Sequence, residues 1–428
     1  MTAEAPNAPA TSLKQSLDKA LQQSLRSCGQ QHLIDHWATL TPLQQQSFAD
    51  QLQRVDWLEL TNTAANHEDA SCTPPDVVGL TDRSAPEHDT QRCVDVGTDA
   101  YTAGRVAVLI VAGGQGTRLG FDGPKGCFEL NLQGGVKKTI FDLLVGALDE
   151  ARRACDAAIP LLLMTSPHTD AATRAYFARS EDAENAENAE NLSKSPRIFA
   201  QTVVPSLDLE GRALLAAPGE LLTNPDGHGG CFEALVHSGE LARLQAEGVD
   251  WLVHLQVDNV LAKPFDPYAV GLAETRGADA LTKVLQKRDP DERVGHLVRR
   301  GETDAIVEYT ELSAEQVREL GEDGQPVFRW GNTAMHVWSV PFLSRLADRD
   351  VHLPLHRSRK PLRVWTPDGN AEKTGWKSER FIFDLLAHAN VSVGLEVARE
   401  DEFAPVKNAT GNDSPDTAVQ ALAARAKR

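Results

Sequence analysis

The stretch Val106-Ala107-Val108-Leu109-Ile110-Val111, followed without a break by Ala112-Gly113-Gly114-Gln115-Gly116-Thr117-Arg118-Leu119-Gly120, constrains the fold of this chain more than any other. A continuous apolar run, rich in β-branched residues and ending in glycines, marks a strand buried on both faces of a parallel sheet where it opens a βα unit. Similar runs recur at Pro160 to Thr165, Arg197 to Gln201, Trp251 to Val257 and Ala280 to Leu285, with helical patterns at Ile140 to Ala154 and Cys231 to Glu247 between them. The alternation predicts an α/β fold built on a doubly wound, mostly parallel, Rossmann-like sheet. Ligands of such sheets bind beyond the carboxyl ends of the strands, so chemistry is expected just after each run.

The rest of the chain divides by character. Residues 1–61 read as an N-terminal helical segment, with Leu13, Leu17, Leu21 and Leu25 at a four-residue step and Leu33, Ile34, Trp37 and Leu40 on a second face. Thr41-Pro42 reads as an N-cap and first helical position. The segment is expected to brace or cover the main domain, with a partner-binding bundle as the alternative. Residues 62–104 are polar, carry Pro74-Pro75 and read as an extended linker wrapping the surface. The main domain spans 105–393 and a small C-terminal segment 394–428. Ala-Glu-Asn occurs three times in succession at 183–191, a low-complexity insertion with no assigned role.

With 43 Lys and Arg against 61 Asp and Glu, the net charge is −18. The average field therefore repels phosphate and argues against nucleic acid or an anionic membrane as partners. No apolar run approaches the roughly 20 residues of a membrane span. Met1 to Ser12 lacks the apolar core of a secretory signal. The six cysteines, Cys28, Cys72, Cys93, Cys127, Cys155 and Cys231, have neither CxxC nor zinc-ligand spacing. A reduced, cytoplasmic protein is expected.

Against that acidic background the glycine loop after the first strand suits a phosphate. Glycines let the backbone approach an anion with its amides turned inward, and a helix following the loop would add its positive N-terminus. Leu119 stands where a dinucleotide fingerprint requires Gly or Ala, and no Gly-Lys-Ser/Thr follows at Walker spacing. Arg118, and Lys125 within Pro124-Lys125-Gly126, supply cations suited to a polyphosphate whose charge develops in a transition state.

Gly113-Gly114-x-Gly116-Thr117-Arg118-Leu119-Gly120 with Pro124-Lys125-Gly126 resembles the signature loop of the UTP-dependent sugar-1-phosphate uridylyltransferases, and most closely their UDP-N-acetylglucosamine pyrophosphorylase branch. Further matches follow in order from about Gln31 to Thr417. They are Gln201 with Pro205, Pro225-Asp226-Gly227-His228-Gly229-Gly230, Val257-Asp258-Asn259, Val294-Gly295, Val307-Glu308-Tyr309, and Gly331-Asn332 with His336. Gly375-x-Lys377-x-Glu379-x-Phe381-x-Phe383-Asp384 and Arg399-Glu400-x-Glu402-Phe403-x-Pro405-x-Lys407-Asn408 resemble the two closing motifs.

The resemblance implies a nucleotidyltransferase domain in which a sugar 1-phosphate attacks the α-phosphorus of UTP, releasing pyrophosphate with Mg²⁺ or Mn²⁺ as cofactor. Positioning and charge neutralisation then carry the catalysis. It implies Arg118 and Lys125 on the β,γ-phosphates, and Lys377 and Lys407 on the α-phosphate and the sugar phosphate. Ala112, Gly113, Gly114, Lys125, Gln201, Gly227, His228 and Asp258 fall on the nucleotide side, with Asp258 also the metal ligand. Gly295, Glu308, Tyr309, Asn332, Phe381 and Phe383 fall on the sugar side, while His336 is read as structural. His228 departs from the Asn of eukaryotic N-acetylglucosamine enzymes and matches the glucose-1-phosphate branch, so glucose 1-phosphate, or a broader range of sugars, stays open as the alternative. Trp330 is bulkier than the residue usual at its position. A monomer or weak homo-oligomer is expected.

Overall fold

Each face of the strand Val106–Val111 enters a different core. Val106, Val108 and Ile110 pack with Phe141, Leu144, Tyr268 and Val270, whereas Ala107, Leu109 and Val111 pack with Phe232, Leu235, Phe342 and Leu346. Helices therefore cover both faces, as the unbroken apolar run requires. The computed structural model describes residues 17–62, 72–84, 89–184, 195–308, 311–322 and 324–428. Tyr309 and the repeat from residue 185 onward lie outside them.

The described chain falls into two units. The larger comprises the described residues of His67–Thr202, Pro225–Pro354 and Arg380–Arg428. Its sheet runs Val77–Val78, Ser392–Glu396, Ala280–Gln286, Trp330–Ser339, Trp251–Gln256, Val106–Val111, Leu161–Thr165, Arg197–Ala200. Every pair along this path is parallel except the two made by Trp330–Ser339, which is antiparallel to both neighbours. This central path is thus mixed but mostly parallel, with Cys72–Thr73, His296–Arg300 and Thr303–Val307 joined antiparallel off it, and Trp251–Gln256 pairs with Val106–Val111 so that Gln256 faces Val111. Their carboxyl ends open side by side.

The structure refines the sequence reading locally. The helical stretch at 231–247 is two helices, Gly230–His237 and Glu240–Ala246, because Gly239 takes φ +78° between them. Within the span read as an extended linker, Thr90–Thr102 is a helix that buries Cys93, Gly97, Ala100 and Tyr101. Gly97 and Gly271 explain the error. A Cβ on Gly97 would lie 1.8 Å from the Pro267 carbonyl oxygen, and one on Gly271 1.7 Å from that of Cys93. The helix docks backbone to backbone on Pro267–Thr275, and glycines leave little apolar periodicity to detect.

The smaller unit comprises the described residues of Met1–Asn66, Val203–Asn224 and Leu355–Glu379. Helices Lys19–Ser27, Gln31–Trp37, Pro42–Gln53 and Trp57–Asn62 bury Leu25, Leu33, Phe48, Leu52, Trp57 and Leu60 against Leu207, Leu221 and Leu355. Gln30 ties the helices to the inserted loop, accepting from the Ala213 N–H at 2.8 Å and donating to the Gly211 carbonyl at 2.9 Å. Thr41 and Gln44 form the capping box of Pro42–Gln53. A long hairpin, His356–Thr366 and Gly369–Glu379, completes the unit. Among the described residues no helix is long and apolar enough to cross a membrane.

Candidate active site

The glycine loop leaves the sheet where the first strand ends. Ala112 N–H donates to the Met164 carbonyl at 2.7 Å, and the Ser166 hydroxyl donates to the Gly113 carbonyl at 2.8 Å. The loop then folds on itself: Lys125 N–H donates to the Gly114 carbonyl at 3.0 Å and Gly116 N–H to the Gly123 carbonyl at 2.9 Å. No α-helix follows directly, contrary to expectation. Short 3-10 turns at Thr117–Leu119 and Lys125–Cys127 intervene, and the next α-helix is Ile140–Cys155. Anion binding here must rest on loop amides and cations, without a helix N-terminus. Gly114 and Arg118 are exposed to solvent.

Asp258 follows the neighbouring strand, one residue past Val257, whose N–H donates to the Val111 carbonyl at 3.1 Å. Its carboxylate lies 3.6 Å from Lys125 Nζ, so one cation of the loop and the proposed metal ligand meet. The C-terminal segment is fastened to the same point. The Val406 N–H donates to the Asp258 carbonyl at 2.8 Å, which sets Lys407 one residue from it. Asn259 fixes the register: its amide donates to the Glu402 carbonyl at 2.7 Å and its Oδ1 accepts from the Ala404 N–H at 2.9 Å. Lys407 Nζ rests 5.9 Å from the Phe403 ring centre.

A second loop lies across from Gly113. Gln201 is 6 % exposed, and its amide terminus comes within 2.3 Å of where a Cβ on Gly113 would be. Gly113 is glycine because Gln201 fills that space. Asp226, fully buried, accepts from the Thr202 hydroxyl at 2.6 Å. Burial pushes its carboxyl up to about 6, against the opposing pull of Thr202 and Arg380. Gly227 takes φ +90°, and a Cβ on Gly230 would strike Asp226 Oδ1 at 1.9 Å. His228 accepts from the Ile382 N–H at 3.2 Å through Nδ1 and stacks on Phe381 at 5.3 Å, with Phe383 5.5 Å away. The structure therefore joins Phe381 and Phe383, expected on the sugar side, to the loop expected to hold the base.

On the antiparallel strand, Asn332 N–H donates to the Gly295 carbonyl at 2.8 Å. Its Oδ1 accepts from the Ala334 N–H at 2.9 Å, which leaves Nδ2 as the donor to offer a ligand. Glu308 Oε1 is 3.6 Å from where a Cβ on Gly295 would stand, so Gly295, Glu308 and Asn332 form one group. Trp330 lies under the Arg329 guanidinium at 5.1 Å. His336 is 1 % exposed and Thr282 lies 3.1 Å from its Nδ1; burial, with His254 and His228 nearby, holds its pKa well below the ordinary value. A neutral, enclosed imidazole fits a structural part. Lys377 belongs to the smaller unit, where its Nζ pairs with Glu379 at 2.5 Å.

Residues that the sequence reading left unassigned also stand out. Lys283 is 3 % exposed and its Nζ pairs with Asp266 at 2.5 Å and Glu402 at 2.7 Å. Its signal was a lysine inside the mostly apolar run of the strand Ala280–Gln286. Asp226 sits within a recognised motif but was given no role.

The family model for UTP–glucose-1-phosphate uridylyltransferase matches residues 58–413. A probable UDP-N-acetylglucosamine pyrophosphorylase of Schizosaccharomyces pombe is 33% identical over 419 residues, which cover 91% of this chain and 86% of that protein. The solved UDP-N-acetylglucosamine pyrophosphorylase of Trypanosoma brucei superposes with a TM-score of 0.81 at 28% identity, covering 97% of this chain and 85% of that one. A UDP-glucose pyrophosphorylase of Leishmania major shares the fold at a TM-score of 0.65 and 19% identity, over 92% of this chain and 77% of that one. The glycine loop, the mostly parallel sheet and a match over most of the chain agree, and the chain belongs to the UTP–glucose-1-phosphate uridylyltransferase family.

Proposed function

We propose that this chain joins UTP to N-acetylglucosamine 1-phosphate, forming UDP-N-acetylglucosamine and releasing pyrophosphate. The observation that carries the reading is the meeting of Lys125, Asp258 and the C-terminal segment that bears Lys407 beside an amide-rich loop. Relatives named for N-acetylglucosamine are nearer in sequence than the glucose enzyme. No enzyme nucleophile is required: the sugar phosphate oxygen attacks the α-phosphorus in line as pyrophosphate leaves. Lys125 and Arg118 bind the departing phosphates, and Lys407 binds the reacting anions.

Asp258 is the residue we assign to Mg²⁺. Among the described residues no three His, Cys, Asp or Glu converge as a metal cage. A hard cation held by one carboxylate, with phosphate oxygens and water completing its shell, suits such a position. When bound, the ion supplies charge neutralisation at the phosphates. The described cysteines are free thiols, in keeping with action in the cytoplasm. His228, shared with glucose-1-phosphate enzymes, favours glucose 1-phosphate as the second substrate to test.

Asn332 is assigned to the acetamido carbonyl through Nδ2. Changing Asn332→Ala should lower kcat/KM for N-acetylglucosamine 1-phosphate about tenfold, the worth of one hydrogen bond, and leave glucose 1-phosphate within about twofold. Pyrophosphate release measured with both sugars checks this, and equal losses would refute the assignment.

A further inference from the structure

The hydrogen atoms of the Gln201 amide are already spoken for. With the amide turned as its neighbours require, Nε2 donates to the Gly227 carbonyl at 2.6 Å and to Asp226 Oδ1 at 2.8 Å. The reverse orientation would press the amide oxygen against those same two acceptors. The other terminal atom, Oε1, then points to the glycine loop, 2.3 Å from where a Cβ on Gly113 would stand. Asp226 is itself held: Thr202 donates to its Oδ2 at 2.6 Å, and Arg380 Nη1 lies 3.9 Å from the same oxygen. The Arg380 N–H donates to the Asp226 carbonyl at 2.5 Å, and that guanidinium is anchored in turn by the Leu353 carbonyl at 3.0 Å.

We propose that Asp226 is a positioning residue for base selection, locking the Gln201 amide so that only its carbonyl oxygen can face the nucleotide base. A base with an N–H at ring position 3, as in uracil, donates to that oxygen. Cytosine has a lone pair at the same position, and two acceptors then oppose each other at a Gln201 side chain that is only 6 % exposed. A buried polar group left unmatched in this way is what yields strong discrimination. The inference rests on the uridylyltransferase reading and adds to it the residue that sets the polarity of Gln201.

The test is kcat/KM for UTP and CTP with N-acetylglucosamine 1-phosphate at pH 8, where Asp226 is ionised. The unaltered protein should prefer UTP by at least about a thousandfold. Asp226→Asn keeps the shape. Its carbonyl stays toward Thr202 and Arg380 and its NH₂ turns to Gln201, so the new donor favours the reversed Gln201 amide while the Gly227 carbonyl at 2.6 Å still favours the original one, and the amide is no longer held in a single orientation. The preference should then narrow by about tenfold or more, the worth of one orienting hydrogen bond, UTP falling and CTP rising. Should Asp226→Asn not fold, Asp226→Ser, which also withdraws the fixed acceptor, takes its place. Comparable use of CTP by the unaltered protein, or an unchanged ratio in a folded variant, overturns the inference and leaves the uridylyltransferase reading intact. Absence of UTP turnover in the unaltered protein with any sugar phosphate sinks that reading, and the inference with it.

Discussion

Replacing Lys283 with methionine is expected to destabilise the larger unit by about 3–5 kcal/mol. The ammonium lies between Asp266 at 2.5 Å and Glu402 at 2.7 Å, and Glu402 also meets Lys263 at 3.0 Å. Burial opposes the charge on Lys283, yet Asp266 and Glu402 outweigh it and raise the pKa above the ordinary value. Burial likewise opposes the charge on Asp266, and Lys283 outweighs it, holding that carboxyl below its ordinary value. Methionine fills the space but leaves enclosed Asp266 without its ion-pair partner and Glu402 with Lys263 alone, and that loss exceeds what the pair contributes over an apolar isostere. Denaturant unfolding measures the effect. The triple change Lys283→Met, Asp266→Asn and Glu402→Gln should recover most of the loss, and a single variant within about 1 kcal/mol of the parent would contradict the account.

The second large effect is chemical. Asp258→Asn should lower turnover by about a hundred- to a thousandfold, the scale set by losing one preorganised positive charge at the phosphates, here that of the Mg²⁺ this carboxylate is proposed to hold. Its fold should survive, because among the described residues the carboxylate has a single ion-pair partner, Lys125 at 3.6 Å, and the contact that anchors the C-terminal segment uses the Asp258 backbone. Pyrophosphate release at saturating Mg²⁺, set beside the melting temperature, separates the two roles. Turnover within threefold of the parent would remove Asp258 from the reacting phosphates.

The parts of the fold legible in the sequence are those where burial dictates pattern. Val106–Val111 is buried on both faces and reads so, and Thr41-Pro42 announces a helix start because capping is local chemistry. The helix Thr90–Thr102 was not legible, since its contact runs through Gly97 rather than an apolar stripe. Trp330–Ser339 reverses direction within a parallel sheet, and no residue in it encodes polarity. At the site, the glycine loop, Lys125 and Asp258 stood out through residue type and position, and Gln201 through the family motif it resembles. Asp226 and the trio of Lys283, Asp266 and Glu402 did not, because their meaning lies in partners distant in sequence: Lys283 and Glu402 are 119 positions apart.

The central claim concerns which sugar phosphate is joined to UTP, and one comparison addresses it directly. Purified protein given UTP, Mg²⁺ and either N-acetylglucosamine 1-phosphate or glucose 1-phosphate should release pyrophosphate with kcat/KM at least about tenfold higher for the acetamido sugar. Equal values, or a preference for glucose 1-phosphate, would contradict it.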